Sequence, residues 1–215
     1  MAYSQDMIDG GTDTIATTVE WAMAELMLHP AVMKQAQDEL NTVVGTNRTV
    51  QESDIAKLPY LQAIVKEAFR LHPAVALSLP RLSTGASSIL GFHLPAQTEL
   101  ILNLFAIHRD PDVYTNPDTF DPQRFVDHPE VSTTSAYDSY ELIPFSAGRR
   151  MCPGHNLGNA MVSMLLAHLI HSFEWAMPEG ESAEFLDMSE CFGLAVCRKK
   201  ALHLVAKPRS PAFLY

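Results

Sequence analysis

Prolines cut this chain into segments, and their spacing limits what each segment can become. Proline donates no backbone hydrogen bond and clashes with the preceding helical turn, so it belongs at helix starts or in loops. Pro30, Pro59 and Pro73 therefore bound three helices. In the first, about Tyr3 to His29, Ile8, Ile15, Val19, Ala22, Met23, Leu26 and Met27 recur at helical spacing. Pro30 ends it and suits the first turn of a second helix, Ala31 to Val44, which Gly45 stops. Ser53 reads as the N-cap of a short turn before Pro59. A third helix, Tyr60 to Leu71, ends at His72-Pro73.

Beyond Pro73 the texture changes. Val75 to Ser83, Ser87 to Phe92 and Glu99 to Leu104 read as short strands separated by Pro and Gly. Pro111, Pro117, Pro122 and Pro129, with Pro144 soon after, make an irregular meander. Tyr114, Phe120 and Phe125 are interleaved there as anchors. A last helix runs from about Asn156 to Phe173. Leu202, Leu204 and Ala206 then alternate as a terminal strand. The predicted class is mainly α with a small β-sheet component, an α+β arrangement in one domain over residues 1–215.

Composition removes several functions. Fifteen basic against 25 acidic residues give a formal charge of −10, which argues against nucleic acid as a partner. Three cysteines, Cys152, Cys191 and Cys197, are too few for a disulfide scaffold, so a reducing compartment is the default. No run of 18 apolar residues occurs, and no basic n-region or apolar core marks a signal peptide. No capping signal precedes Met7 and Ile8, so the start reads as a truncation inside a helix.

The chemistry concentrates between Phe145 and Gly154, in Phe145-Ser146-Ala147-Gly148-Arg149-Arg150-Met151-Cys152-Pro153-Gly154. A lone cysteine ordinarily behaves as a small buried hydrophobe. Here Gly148 and Gly154 give backbone freedom on both sides of it, and Arg150 lies two residues before it. The helix starting near Asn156 aims its free N–H groups back at the sulfur. Such surroundings stabilise a thiolate, and an axial thiolate on haem iron favours O–O cleavage.

Two further clusters stand out. Glu67 and Arg70 share a helix face at i and i+3; alone they read equally as a surface ion pair. Gly10-Gly11-Thr12-Asp13-Thr14 places two glycines inside a helix at about 1 kcal/mol each relative to Ala. That pattern fits either a functional opening in the hydrogen-bond ladder or a frayed helix end. The nine histidines show no zinc spacing with Cys191 and Cys197. His168 and His171 read as core or interface residues, and Arg198-Lys199-Lys200 as a solvated turn.

The segment Phe145 to Gly154 resembles, position for position, the haem-binding signature of the cytochrome P-450 family. The resemblance spans essentially the whole chain, against the C-terminal half of family members more than twice as long. It implies that Cys152 ligates the iron of haem b, that Phe145 packs beside it, and that Arg150 pairs with a haem propionate. It implies that Arg81, in Leu79-Pro80-Arg81, meets the second propionate; an exposed strand arginine is the alternative. Val75, Ala76 and Leu77 would line the substrate pocket. Asp13 and Thr14 match the family's oxygen-activation motif and would deliver protons to dioxygen. Phe120-Asp121-Pro122-Gln123-Arg124-Phe125 resembles the meander element that supplies Arg124 to a Glu67–Arg70–Arg124 clamp; Gln123 stands where Glu is more usual.

The resemblance extends to the plant A-type members through Pro144 to Gly154 and Gly11-Thr12-Asp13-Thr14. Phe173-Glu174-Trp175, Pro178-Glu179-Gly180, Asp187-Met188-Ser189-Glu190 and Lys207-Pro208-Arg209 resemble plant hydroxylases of the aromatic ring of p-coumaroyl esters, with flavonoid ring hydroxylases a close rival. A haem-dependent monooxygenase of a small hydrophobic or phenolic substrate is implied. Its electrons would come from NADPH through a separate cytochrome P-450 reductase, which Arg149 is a candidate to face. The full-length protein would sit on the cytosolic face of the endoplasmic reticulum, held by an N-terminal anchor outside this chain. Two competing readings stand beside it. One is a truncated, non-catalytic fragment that binds no haem. The other is a thiol enzyme with Cys152 as nucleophile, which lacks a placed His partner.

Overall fold

A computed structural model describes residues 2–133 and 140–209. The chain is mainly helical with small antiparallel ladders. Four helices build the centre: α1 (Ala2–Leu28), α2 (Pro30–Val43), α4 (Pro59–Leu71) and α7 (His155–Ser172). Pro30 and Pro59 each begin a helix, where the missing N–H goes unneeded. Gly45, at φ 78°, turns the chain out of α2. Leu26, Leu40, Leu61, Ile64, Leu166 and Ile170 from these helices are fully buried in one cluster. Burial of these apolar side chains holds the four helices together, while α1 and α7 also leave Met7, Ile8, Leu157 and Met161 exposed.

Shorter elements differ from the sequence reading. α3 (Glu52–Ile55) is capped not by Ser53 but at Gln51, whose N–H donates to the Asp54 carboxylate at 3.0 Å. Hydrogen bonding to Arg48 comes first among the causes that hold Asp54 down to about 2. The strand expected over Val75 to Ser83 contracts to β1 (Arg81–Leu82), with a single bridge from Leu77 to Asn103. Pro80 cannot donate to a ladder, which keeps the pairing from spreading back. β2 (Ser87–Ile89) and β3 (Phe92–Leu94) form a hairpin, and β4 (Glu99–Leu100) pairs with β1. The segment expected to end as strand at Leu104 instead starts a helical turn, α5 (Leu104–Ile107), capped by the Asn103 side chain accepting from Ala106 N–H.

In the meander, Tyr114, Phe120 and Phe125 are all buried, and α6 (Gln123–Asp127) runs between its prolines. Tyr114 and Phe125 join Ala63, Val131 and Leu142 in a second, smaller core against α4. After α7 the chain extends at Phe173 into β5 (Phe173–Ala176). β5 pairs with β8 (Val205–Pro208), so the terminal strand begins three residues later than Leu202. Leu202 and Leu204 are half-buried and pack on the main core. Between them β6 (Glu190–Cys191) and β7 (Cys197–Arg198) make a short hairpin. Among the described residues no helix is long and apolar enough to cross a membrane.

Candidate functional site

Phe145 to Gly154 forms a closed loop in front of α7. Cys152 N–H donates to the Phe145 carbonyl at 3.0 Å, which brings the two ends of the motif together. Ser146 and Gly148 take φ of 63° and 73°, the left-handed region that lets the chain double back. A 3₁₀ turn, Gly148–Arg150, carries Arg149 and Arg150 outward into solvent. Cys152 is exposed. A Cβ added at Gly154 would lie 3.9 Å from its sulfur, so glycine there leaves the space over the thiol open. Gly154 is also the N-cap of α7, which points the first free amides of that helix toward the loop.

The loop is wedged from behind. The Phe145 ring meets Phe69 of α4 edge-on at 5.3 Å. It also fills the place of a side chain at Gly158, where an added Cβ would come within 3.3 Å of the ring. His155 Nδ1 donates to the Cys152 carbonyl at 2.9 Å, so this histidine fixes backbone and is not directed at the thiol. From β1, the Arg81 guanidinium donates to the Ser146 hydroxyl, which brings that cation to the same loop.

Asp13 and Thr14 lie on α1, which runs unbroken through Gly10 and Gly11. The opening weighed in the sequence is not present there. The threonines follow the helix instead: Thr12 Oγ1 donates to Ile8 O at 2.8 Å and Thr14 Oγ1 to Gly10 O at 2.7 Å. Asp13 is exposed. Among the described residues no hydrogen bond joins Asp13 or Thr14 to the Cys152 loop.

Glu67, Arg70 and Arg124 come together. Glu67 and Arg70 have no solvent exposure, so the exposed-pair alternative does not hold. Arg70 grips Glu67 with two parallel bonds, Nε to Oε2 at 2.7 Å and Nη2 to Oε1 at 2.8 Å. Arg124 Nε adds a third at 3.1 Å and Asp121 N–H a fourth at 2.8 Å. Arg70 spends its remaining hydrogens on the carbonyls of His108, Pro117 and Thr119, at 2.9, 2.6 and 3.0 Å. A buried ion pair is tolerated only when its leftover donors and acceptors are satisfied in this way.

Two further residues extend this network: His108, to which the sequence assigns no role, and Tyr114, an expected meander anchor. His108 is fully buried, and its Nε2 accepts from Ile143 N–H at 3.0 Å. Burial, then the charges of Arg70 and Arg109, push it down to about 3, so it is neutral at neutral pH. Tyr114 lies under the guanidinium groups of Arg70 and Arg124 and donates to Glu141 O at 3.0 Å. His108 is a lone histidine in sequence, and nothing adjacent marks it. Arg198 is a correction. It is not part of a solvated turn but is buried over the Trp21 ring at 5.2 Å, with a bond to Asp187 O at 2.9 Å. His171 is buried too, its Nε2 donating to Gly45 O at 2.7 Å.

The family model for cytochrome P450 matches residues 1–205. This chain belongs to the cytochrome P450 family. Flavonoid 3',5'-hydroxylase of Campanula medium is 44% identical over 210 residues, covering 98% of this chain and 40% of that protein. Cytochrome P450 76C4 of Arabidopsis thaliana is 48% identical over 200 residues, covering 93% and 39%. A zebra fish cytochrome P450 structure with abiraterone superposes with a TM-score of 0.85 at 28% identity, covering 96% of this chain and 46% of that one. The fold is thus the P450 fold, and the chain spans about 40% of the length of the curated relatives it matches. The residues present fit the family's haem: an exposed thiol, an open approach over Gly154, the Arg81 guanidinium bonded to the loop, and Arg150 exposed on the loop's 3₁₀ turn.

Proposed function

We propose that this chain is the C-terminal half of a haem-thiolate monooxygenase, with Cys152 as the thiolate ligand. The observation that carries the proposal is the loop closed from Phe145 O to Cys152 N–H, which holds an exposed thiol at the N-terminus of α7. Haem, when bound, supplies the activation of dioxygen and the insertion of one oxygen atom into the substrate. The chain supplies position and protons. Phe145 and Gly158 set the depth of the loop, and Gly148 and Gly154 keep its surface clear of side chains. Arg81 and Arg150 offer charge-assisted hydrogen bonds to two carboxylates. Thr14 donates to Gly10 O, which leaves its hydroxyl oxygen as an acceptor for a proton donor. Asp13, exposed one residue away, exchanges protons with water.

The substrate class is a small phenolic: a flavonoid, as the names of relatives such as the Campanula enzyme support, or a related phenylpropanoid. NADPH would deliver electrons through cytochrome P450 reductase. The complete protein would lie on the cytosolic face of the endoplasmic reticulum, anchored by a segment outside these residues. Turnover of a flavonoid and p-coumaroyl ester panel by haem-loaded chain, reductase and NADPH under isotopically heavy dioxygen tests this. One heavy oxygen in a ring hydroxyl is expected; hydroxylation carrying only water-derived oxygen contradicts it.

One observation favours a second reading, a chain that binds no haem alone. It spans about 40% of its relatives, and Leu157, Met161 and Leu165 stand exposed along one face of α7. Failure of haem to titrate into folded chain would support that reading.

A further inference from the structure

We propose that Cys191 and Cys197 form a reversible cross-strand disulfide that ties together the two arms of the β6–β7 hairpin. The two cysteines are register partners in the antiparallel ladder, so their side chains leave the same face. Cys197 Sγ lies 3.9 Å from the Cys191 carbonyl oxygen, leaning across toward its partner. One rung pair away, Lys199 N–H donates to Ser189 O at 2.9 Å. Antiparallel rungs alternate, so Cys191 and Cys197 fall again on a hydrogen-bonded rung, where Cα atoms stand about 5.5 Å apart. A disulfide accepts Cα separations of about 4.4–6.8 Å. Directly opposed Cβ atoms at about 4.5–5.5 Å are wider than the mean disulfide spacing of about 3.8 Å, so the bond closes by tightening the hairpin and opens readily.

The two arms are held unequally. Val196, at the root of β7, donates to Ala74 O at 2.8 Å and accepts from Trp21 Nε1 at 3.0 Å. Arg198 in β7 is buried against Trp21. β6 pairs with β7 along the rungs they share, its Glu190 lies within charge range of Arg109, and Phe192 and Leu194 at the tip are 80% and 77% exposed. A covalent link at the innermost rung therefore acts on this tip. The loop it closes is short, so it constrains the unfolded chain less than a long-range disulfide would. Cys191 is exposed and Cys197 half-buried, so an oxidant reaches the pair.

The oxidant is a small disulfide such as oxidised glutathione. One cysteine thiolate attacks it, releasing one glutathione thiol and leaving a mixed disulfide. The second cysteine attacks the cysteine sulfur of that mixed disulfide, breaking its S–S bond and releasing the second glutathione as a thiol. Two protein thiols have then lost two electrons and two protons, and one oxidised glutathione has become two thiols. In a reducing compartment the pair stays open, and it closes as the thiol poise becomes oxidising.

The test equilibrates the full chain with oxidised and reduced glutathione and maps the products by peptide mass. The expected product is a Cys191–Cys197 link, two hydrogens lighter, with amide exchange slowed severalfold over residues 192–196 and full reversal by dithiothreitol. Cys191→Ser and Cys197→Ser should each leave one glutathione on the remaining cysteine, and Cys152→Ser should still form the link. Two glutathione adducts on wild type, an unreacted pair, or linkage of either cysteine to Cys152 would overturn the proposal. The wild-type map decides even if a variant fails to fold.

Discussion

His108 Nε2 accepts the Ile143 N–H at 3.0 Å, while the His108 carbonyl accepts from Arg70 at 2.9 Å. One buried residue thus joins the Glu67–Arg70 pair to the strand of chain that leads, through Pro144, into the Cys152 loop. The clamp and the loop are distant in sequence, and this is a hydrogen-bonded path between them. Because the accepting nitrogen must be unprotonated, the path exists only with a neutral imidazole.

Acid should therefore weaken the fold through His108. Its value in the folded chain, about 3, lies below the ordinary histidine value of about 6.5. The unfolded chain binds the extra proton first, so stability is full above about pH 6.5 and falls as pH drops toward about 3. The slope approaches about 1.4 kcal/mol per pH unit for this one group. Urea unfolding at several pH values should show the loss, and His108→Gln should flatten it by removing the titrating ring. His108→Ala should also cost about 1–3 kcal/mol at neutral pH, because Ile143 N–H is left buried without an acceptor.

Removing one partner of the clamp should hurt in proportion to what is left stranded. Glu67→Ala leaves the Arg70 guanidinium buried without its counter-ion, and a loss of about 3–5 kcal/mol is expected. Arg124 keeps part of its side chain in solvent and makes the longer 3.1 Å bond, so Arg124→Ala should cost distinctly less. Chemical denaturation of both variants gives the ranking; equal losses would show that the Arg124 arm matters as much as the buried pair.

Gly158 lies against the Phe145 ring behind the thiol loop, where an added Cβ would come within 3.3 Å of it. Alanine there gains helix propensity of about 1 kcal/mol but asks the Phe145 ring to shift by a few tenths of an ångström. Gly158→Ala should be close to neutral in stability. Gly158→Val adds volume against the same ring and should cost about 1–3 kcal/mol. It should also speed haem loss, read from transfer of bound haem to apomyoglobin.

The sequence disclosed the parts with strong periodic or positional signals. The bounds of α2, α4 and α7 followed from Pro30, Gly45, Pro59 and the loop before Asn156, because these residues forbid alternatives locally. α5 and α6 were missed because helices of four and five residues show no periodicity. The helix expected to end near Phe173 stops at Ser172, and no strand is expected over Phe173–Ala176, because Phe173, Trp175 and Ala176 are apolar in either state and only pairing with Val205–Pro208 decides between them. Arg198 looked solvated beside two lysines, yet a ring 177 positions earlier in the chain, at Trp21, covers it. The buried role of His108 depends likewise on Ile143, 35 residues away. Long-range contacts of this kind leave no local trace in one sequence.

The central claim is a sulfur–iron bond at Cys152, and the carbon monoxide difference spectrum of reduced, haem-loaded chain tests it most directly. The account predicts a Soret band at the red-shifted position of a thiolate-ligated haem, lost in Cys152→Ala. A band at the position of histidine-ligated haem, or one that survives Cys152→Ala, would contradict it.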